Sequence, residues 1–245
     1  MKRILVVGES CRDIFCYGTA IRLCPEAPVP VFNLFEQIEN PGMAMNVYNN
    51  IIALGHETEI YTNTNWENIT KTRFIERSSN HMFMRYDIND DLYESFDIKK
   101  IDYEKYEAIV ISDYNKGFLS NKDIEQIGLN HDCVFLDTKK KLGPWANSVK
   151  FIKINEIEYG KNKDFIETNK IKDKVITTLG SNGAEYRDTQ FAVPKVEIRD
   201  VAGAGDSFIA GLATKYVYTK DIIKGINFAN QCATKVIQKR GVSTI

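Results

Sequence analysis

Residues 200–208 read DVAGAGDSF. Small residues fill 202–205 and an acid follows, after which apolar residues recur at Ala204, Phe208, Leu212 and Tyr216, the spacing of a helical stripe. A helix starting at about Gly203 leaves its first backbone N–H groups unpaired beside almost no side chain, and the positive end of the helix dipole adds to their pull on anions. Such a cradle suits a phosphate. Asp206 is out of place there unless it has chemical work, such as taking a proton from an attacking hydroxyl. Read alone, the same acid simply favours the helix dipole.

Outward from this stretch the chain alternates strands and helices. The apolar run from Arg3 to Val7 ends in Gly8, and similar short runs occupy Ala108–Ile111, Cys133–Leu136, Phe151–Ile154 and Val175–Thr177, as expected of strands buried on both faces of a parallel sheet. Helical patterns fall between them: one opens at Pro41-Gly42-Met43-Ala44-Met45-Asn46, one at Asn121–Leu129 behind Ser120, and one spans Asp221–Gln238 with Asn230 off its apolar stripe. Two other segments read as a small β unit. Gly18–Phe35 carries Pro25, Pro28 and Pro30, and Thr72–Arg77 with His81–Asp87 frames the turn Ser78-Ser79-Asn80. The acidic span Asp87–Asp97 reads as a solvated crossover with some helix. The predicted class is therefore α/β, a doubly wound, mostly parallel sheet in a single domain over 1–245, with a β lid at about 17–36 and 71–87.

Composition narrows the function classes. Thirty-two basic against 33 acidic residues give a net charge of -1, so no basic field argues for nucleic acid or an anionic membrane, and a small-molecule ligand fits better. Five cysteines without a C-x-x-C pair argue against a disulfide framework or zinc ribbon, and imply reduced thiols in a cytoplasmic setting. The first apolar run stops at Gly8, short of a signal sequence, and no stretch reaches membrane-spanning length.

Open α/β sheets bind ligands beyond the carboxyl ends of their strands, which places several residues under consideration. Asp13 follows the first strand and either holds ligand hydroxyls or bonds its own loop. Asn46 either points at a ligand or caps its helix. Ser112-Asp113-Tyr114-Asn115-Lys116 suits a polar substrate but equally a charged turn, and Lys139-Lys140-Lys141 reads as a solvated face. Asn155 and Glu158 are neighbours on one helical face, able to order water around a metal ion. Thr178-Leu179-Gly180-Ser181-Asn182-Gly183 allows a tight turn whose N–H groups receive a phosphate chain, or a plain hairpin loop.

In combination, D-x-x-G-A-G-D at 200–206, T-x-G-x-x-G at 178–183 and N-x-x-E at 155–158 resemble the ribokinase-type (PfkB) carbohydrate kinases. The stretches GESCRDIF, PEAPVPVF, PGMAMNVYNNIIALG, ISDYNKGFL and FANQCATKVIQKRGVST resemble in particular the kinase domain of bifunctional ADP-heptose synthases, which phosphorylate the anomeric hydroxyl of a heptose 7-phosphate, a lipopolysaccharide precursor. The resemblance implies ATP and Mg²⁺ as cofactors, Asp206 as catalytic base, and the Gly203, Ala204 and Gly205 backbone as anion hole. It further implies an ATP site from Asn155, Glu156, Ile157, Glu158, Thr178, Gly180, Gly183 and Asn230, with Glu158 reaching Mg²⁺ through water. Sugar contacts are implied for Asp13, Gly42, Asn46, Asp113 and Lys116, and a homodimer through the lid. Two departures stand out. Family members show adjacent glycines where this chain has Gly42-Met43, and a strand-helix-strand segment where it has only a short loop between Thr62 and Lys71. A kinase of another sugar or sugar phosphate, or a catalytically weak ligand-binding protein on the same scaffold, are the alternative expectations.

Overall fold

The computed structural model describes residues 3–241 and 243–245. The first strand, β1 (Arg3–Gly8), sets the layering: Ile4 and Val6 face one helical layer while Leu5 and Val7 face the other, and all four are fully buried. Each such side chain contributes about 1.5–3 kcal/mol on burial, so the strand is held by what covers it on both faces. There follow β2 (Ser10–Thr19), β3 (Asn33–Met43), α1 (Ala44–Ala53), β4 (Thr58–Tyr61), β5 (Thr70–Glu76) and β6 (Met82–Ile88). Next come β7 (Tyr106–Asp113), α2 (Asn121–Asn130), β8 (Val134–Thr138), β9 (Phe151–Asn155), α3 (Glu156–Thr168) and β10 (Val175–Thr178). The chain closes with β11 (Ala184–Tyr186), β12 (Thr189–Phe191), α4 (Ala204–Thr219) and α5 (Ile222–Val236).

The large sheet has the order β12-β11-β10-β9-β8-β7-β1-β4, parallel from β10 to β4, with an antiparallel β11–β12 hairpin added at one edge. Helices α1, α4 and α5 cover the face of Ile4 and Val6, and α2 covers the face of Leu5 and Val7. The doubly wound class read from the alternating pattern is the one observed. Strand order runs outward in both directions from β1, so the crevice between the carboxyl ends of β1 and β7 is the topological switch point where such sheets bind ligands.

A second sheet, in the order β3-β2-β5-β6, lies at this end. Its bounds correct the sequence reading of the lid. The stretch after Gly8 is a ten-residue strand rather than a loop. The Pro-rich part of 20–32 contributes only an isolated bridge between Leu23 and Pro30, and β3 runs on through Pro41 and Gly42 to Met43, so the helix begins at Ala44. Pro41 is tolerated because β3 is an edge strand. The β5–β6 hairpin matches its sequence signature. Between β4 and β5 the chain makes only a short turn at Trp66–Asn68, so β4 is the sheet edge. Stacked rings of Tyr61, Phe96 and Phe118 (centroids 5.1 and 5.2 Å apart) close that end.

Candidate active site

Asp206 lies in the first turn of α4 and is buried. Its N-cap is Gly203, whose φ of 78° a residue with a side chain rarely adopts. The loop ahead of it is tied down by Asp200, whose carboxylate accepts from the N–H groups of Ala202 (2.9 Å) and Gly241 (3.1 Å). The Asp206 carboxylate receives two donors, Asn46 Nδ2 at 2.8 Å and the Tyr114 hydroxyl at 2.9 Å. Burial pushes its pKa up to about 6, and the charge of Asp137 adds to the rise; the Asn46 and Tyr114 hydrogen bonds and the charge of Lys153 pull it back. A carboxylate poised near 6, at a helix N-terminus, is suited to accept a proton near neutral pH.

Asn46 thus does not cap α1; it orients the acid, and Asn50 Nδ2 in turn donates to Asn46 Oδ1 at 3.0 Å. Tyr114 follows the end of β7 and bridges the crevice. Its N–H, and that of Lys116, donate to the carboxylate of Glu9, which follows β1 and is completely buried. Burial, and secondarily the charge of Asp113, raise the Glu9 pKa, and the two backbone donors oppose the rise.

The remaining residues of that loop differ from the simplest expectation. Both oxygens of Asp113 are taken within the protein: Lys140 Nζ and the Asn115 N–H donate to Oδ1, and the Thr138 hydroxyl to Oδ2. Lys140 is therefore not part of a solvated face, its side chain being only 11% exposed. Lys116 donates to Asp90. Asp13 pairs with Arg73 at 2.5 Å on the lid's β2 and β5, and a Cβ on Gly42 would approach Asp13 Oδ2 to 2.7 Å, so glycine makes room for the acid. The acidic span after Asp87 carries no helix before the turn at Ile98–Lys100, and Asp90 within it is half-buried in ion pairs.

On the other side of α4, a cavity of about 420 Å³ is lined by Thr178, Gly180, Gly183, Ala204, Gly205 and Asn230, with mostly apolar side chains such as Phe208 and Ile237 completing the wall. Four of the expected ATP residues and two of the anion hole meet there. Asn230, expected off the apolar stripe, is buried and donates to the Phe191 carbonyl at 2.8 Å, which joins α5 to the edge hairpin. Asn155 and Glu158 form a reciprocal cap on α3: each side chain accepts the other's backbone N–H at 2.8 Å, and Lys139 Nζ donates to Glu158 Oε1 at 2.6 Å. Glu156 and Ile157 are exposed on the first turn of α3.

Three contributors were not singled out from sequence, Glu9, Asp137 and Lys153, and Tyr114 was read only as the aromatic of a loop suited to a polar substrate. Lys153 had a readable signal, a lysine inside the otherwise apolar strand FIKIN. Its ammonium pairs with Asp137 Oδ2 at 2.6 Å and lies where a Cβ on Gly205 would come within 2.9 Å, beside the first turn of α4. The other oxygen of Asp137 is buried without a hydrogen-bond partner among the described residues, 3.9 Å from Lys139 Nζ. Together these groups offer a phosphoryl group a helix N-terminus and an ammonium, with a base alongside.

Residues 49–245 match the profile of the pfkB family carbohydrate kinases. The chain belongs to that family. It is thereby classed as an ATP-dependent carbohydrate kinase. The chain is 27% identical over 295 residues to the bifunctional protein HldE of Helicobacter pylori (strain Shi470), covering 98% of this chain and 64% of that protein. It is 29% identical over 293 residues to the bifunctional protein HldE of a Nitratiruptor species, covering 99% and 63%. The chain therefore spans less than two-thirds of these relatives. Since 295 positions are compared with a chain of 245, at least 50 have no counterpart here.

Solved structures show the same ribokinase-like fold with its smaller sheet. The nucleoside kinase of Methanocaldococcus jannaschii has a TM-score of 0.71 at 16% identity, covering 99% of this chain and 93% of that one. Phosphofructokinase-2 of Escherichia coli in complex with potassium scores 0.73 at 14%, covering 99% and 94%. Arabidopsis thaliana ribokinase complexed with ribose and ATP scores 0.71 at 14%, covering 98% and 94%.

Proposed function

We propose that the kinase transfers the terminal phosphoryl group of ATP to the anomeric hydroxyl of a heptose 7-phosphate, with Asp206 as the base. The observation that carries this reading is the Asp206 constellation: a carboxyl with a pKa of about 6, aimed by Asn46 and Tyr114, at the N-terminus of α4 between the crevice and the 420 Å³ cavity. In this reading the adenine and ribose occupy the apolar cavity near Asn230, and the phosphates meet Thr178, Gly180 and Gly183. The Gly203, Ala204 and Gly205 backbone and Lys153 receive the negative charge that builds up during transfer. Asp206 takes the hydroxyl proton as the sugar oxygen attacks. Asp13, Gly42, Asn46 and Lys116 border the sugar, and Tyr114 takes the contact that Asp113, already neutralised by Lys140, does not supply.

The donor set also fits a divalent cation. Among the described residues no three metal-binding side chains form a ready cage, so ATP oxygens and water would complete the shell, as is usual for Mg²⁺. The buried, unpartnered Asp137 Oδ1 would hold the ion, with Glu158 acting through water once Lys139 moves off its carboxylate. When bound, Mg²⁺ supplies charge neutralisation across the phosphates.

The HldE relatives support the heptose reading, and the fold leaves other sugars open. Purified protein with ATP, Mg²⁺ and a panel of sugars and sugar phosphates should release ADP fastest with the heptose 7-phosphate. Faster turnover of another sugar would replace the substrate but keep the kinase. Binding of nucleotide and sugar without ADP release would favour the ligand-binding alternative, for which the buried Met43 is the motivating observation. Exposed Leu34, Phe35, Met84 and Tyr86 on the lid edge strands support a homodimer through the lid, a cytoplasmic assembly testable by light scattering after gel filtration. No helix among the described residues is long and apolar enough to cross a membrane.

A further inference from the structure

A chain of amides runs from Asp206 through α1 to Ile245. Asn46 and Asn50 lie one turn apart on α1, on the face turned to α4, and both are buried, Asn50 completely. Their neighbours Ala44, Val47 and Ile51 belong to the apolar core. A carboxamide in such a place costs stability unless its two donors and two acceptor positions are all filled. Those of Asn50 are filled. Its Nδ2 donates to the Asn46 carbonyl at 2.8 Å and to Asn46 Oδ1 at 3.0 Å, while its Oδ1 accepts from the Ile245 N–H at 3.1 Å and the Ser207 hydroxyl at 3.3 Å.

Two of these partners have a fixed polarity. A carbonyl only accepts and a backbone N–H only donates, so turning the Asn50 amide over would set NH₂ against N–H and oxygen against oxygen. The one orientation left sends Nδ2 towards Asn46 Oδ1. Asn46 is thereby fixed in turn, and its Nδ2 is what reaches Asp206 Oδ2, at 2.8 Å. Burial, and then the charge of Asp137 at the end of β8, oppose ionisation of Asp206; besides Asn46, the Tyr114 hydroxyl from the loop after β7 and the charge of Lys153 on β9 favour it, and the Lys139 ammonium lies within electrostatic reach. Helix α1 carries no charged side chain, so its side chains act on the base through this one amide. If Asn46 presented its oxygen instead, the carboxyl would be favoured over the carboxylate.

We propose that Asn50 is a positioning residue for the base, and that the backbone N–H of Ile245, acting through Asn50, decides which end of the Asn46 amide meets Asp206. This rests on the reading of Asp206 as the base and adds a control on it. The 243–245 segment and the protonation of the base are coupled, so drawing the segment away keeps Asp206 protonated to higher pH.

The test compares wild type, Asn50→Leu and Ile245→Pro, with Ile245→Ala as the reference that changes the side chain but keeps the N–H. Two quantities are followed against pH: kcat/KM with ATP, Mg²⁺ and the sugar the substrate panel selects, and the NMR signal of the Asp206 carboxyl in protein with isotope-labelled aspartate, identified by its loss in Asp206→Asn. In the wild type both should turn at a pH of about 6. Loss of a charge-assisted donor should move the midpoint up by about one unit in Asn50→Leu, and by a smaller step in Ile245→Pro relative to Ile245→Ala. A carboxyl that stays protonated to higher pH serves as a base over a narrower range, so kcat/KM of Asn50→Leu should fall about fivefold at pH 6 and little at pH 8, with KM for ATP unmoved. An activity loss equal at every pH, with the Asp206 signal turning where it does in wild type, is what a merely structural asparagine predicts, and it overturns the proposal. Equal midpoints in Ile245→Pro and Ile245→Ala overturn the part assigned to the Ile245 N–H. If no sugar yields ADP, the kinase reading fails and the carboxyl signal still decides the positioning. Should Asn50→Leu not fold, Ile245→Pro carries the test, position 245 being only partly buried.

Discussion

Both helices that converge on Asp206 start from a residue of positive φ without a side-chain cap: Gly203 (φ 78°) before α4 and Met43 (φ 62°) before α1. Their free N–H groups meet different fates. At α1 the Ala44 N–H donates to the Glu9 carbonyl at 2.9 Å and the Met45 N–H to the Ser10 hydroxyl at 3.1 Å, so the protein itself fills the end of the helix. At α4 only a long 3.3 Å bond from the Ala204 N–H to the Val201 carbonyl closes the turn, and Ala204 and Gly205 line the open cavity. One helix start is built into the lid junction and the other opens on the cavity. The residue types follow: a bulky side chain is accepted where packing around Cys11, Ile69 and Tyr93 holds it, and small residues stand where the helix start faces the cavity.

The largest expected effect is at the reactive end. Asp206→Asn should lower kcat by about 10²–10⁴-fold, the usual contribution of a general base, and kcat/KM of the wild type should fall below a pH of about 6 as the carboxyl protonates. Retention of most activity in this variant would remove Asp206 from the mechanism. Its stability should move the other way. Because the folded pKa lies above that of the unfolded chain, folding takes up a proton between about 4 and 6, and the ionised carboxyl costs stability above that window, by roughly 3 kcal/mol at most. Urea denaturation at pH 7 should show Asp206→Asn more stable than wild type, with the gain vanishing as pH falls through 6 towards 4.

A smaller effect separates the two helix starts by their backbone. At Met43 the substitution to Ala keeps the strained φ and the substitution to Gly removes it, so Met43→Gly should be more stable than Met43→Ala by about 1–3 kcal/mol, the reverse of the order inside a helix. Both lose the packing of a buried methionine, which makes the difference between them the informative quantity. Equal midpoints in denaturant would show that position 43 is unstrained. Smallest is Gly203→Ala, expected to cost about 1–2 kcal/mol from the left-handed φ alone. Its thermal midpoint should fall further than that of Gly160→Ala, a helical position with open space around it.

Much of the fold was legible because burial on both faces leaves an unmistakable pattern. Continuous apolar runs such as ILVV at 4–7 and AIVI at 108–111 have few alternatives to a covered parallel strand, and DVAGAGDSF marked its helix start to within a residue. The lid was less legible. The register of its strands depends on partners far along the chain, so 10–13, within the central and largely buried β2, read as a loop and Gly18–Phe35 as a flap, although β2 pairs with both β3 and β5. Site residues divide along the same line. Thr178, Gly180, Gly183 and Asp206 sit in local motifs that state their own geometry. Asp90, Asp137 and Lys153 carry no motif, because their roles come from partners such as Lys71, Lys139 and Gly205 that only folding brings near.

By itself, then, the sequence determined the alternating layers, the small-residue start of α4 and the acid within its first turn, since each depends on residues within a few positions of one another. The tertiary structure decided which carboxylates are free to act. Asp113 is neutralised by Lys140, Glu158 is taken up by a helix cap and Lys139, while Asp206 is kept buried between Asn46 and Tyr114 with its pKa raised. Charge and desolvation are properties of what surrounds a group in space, and no spacing along the chain encodes them.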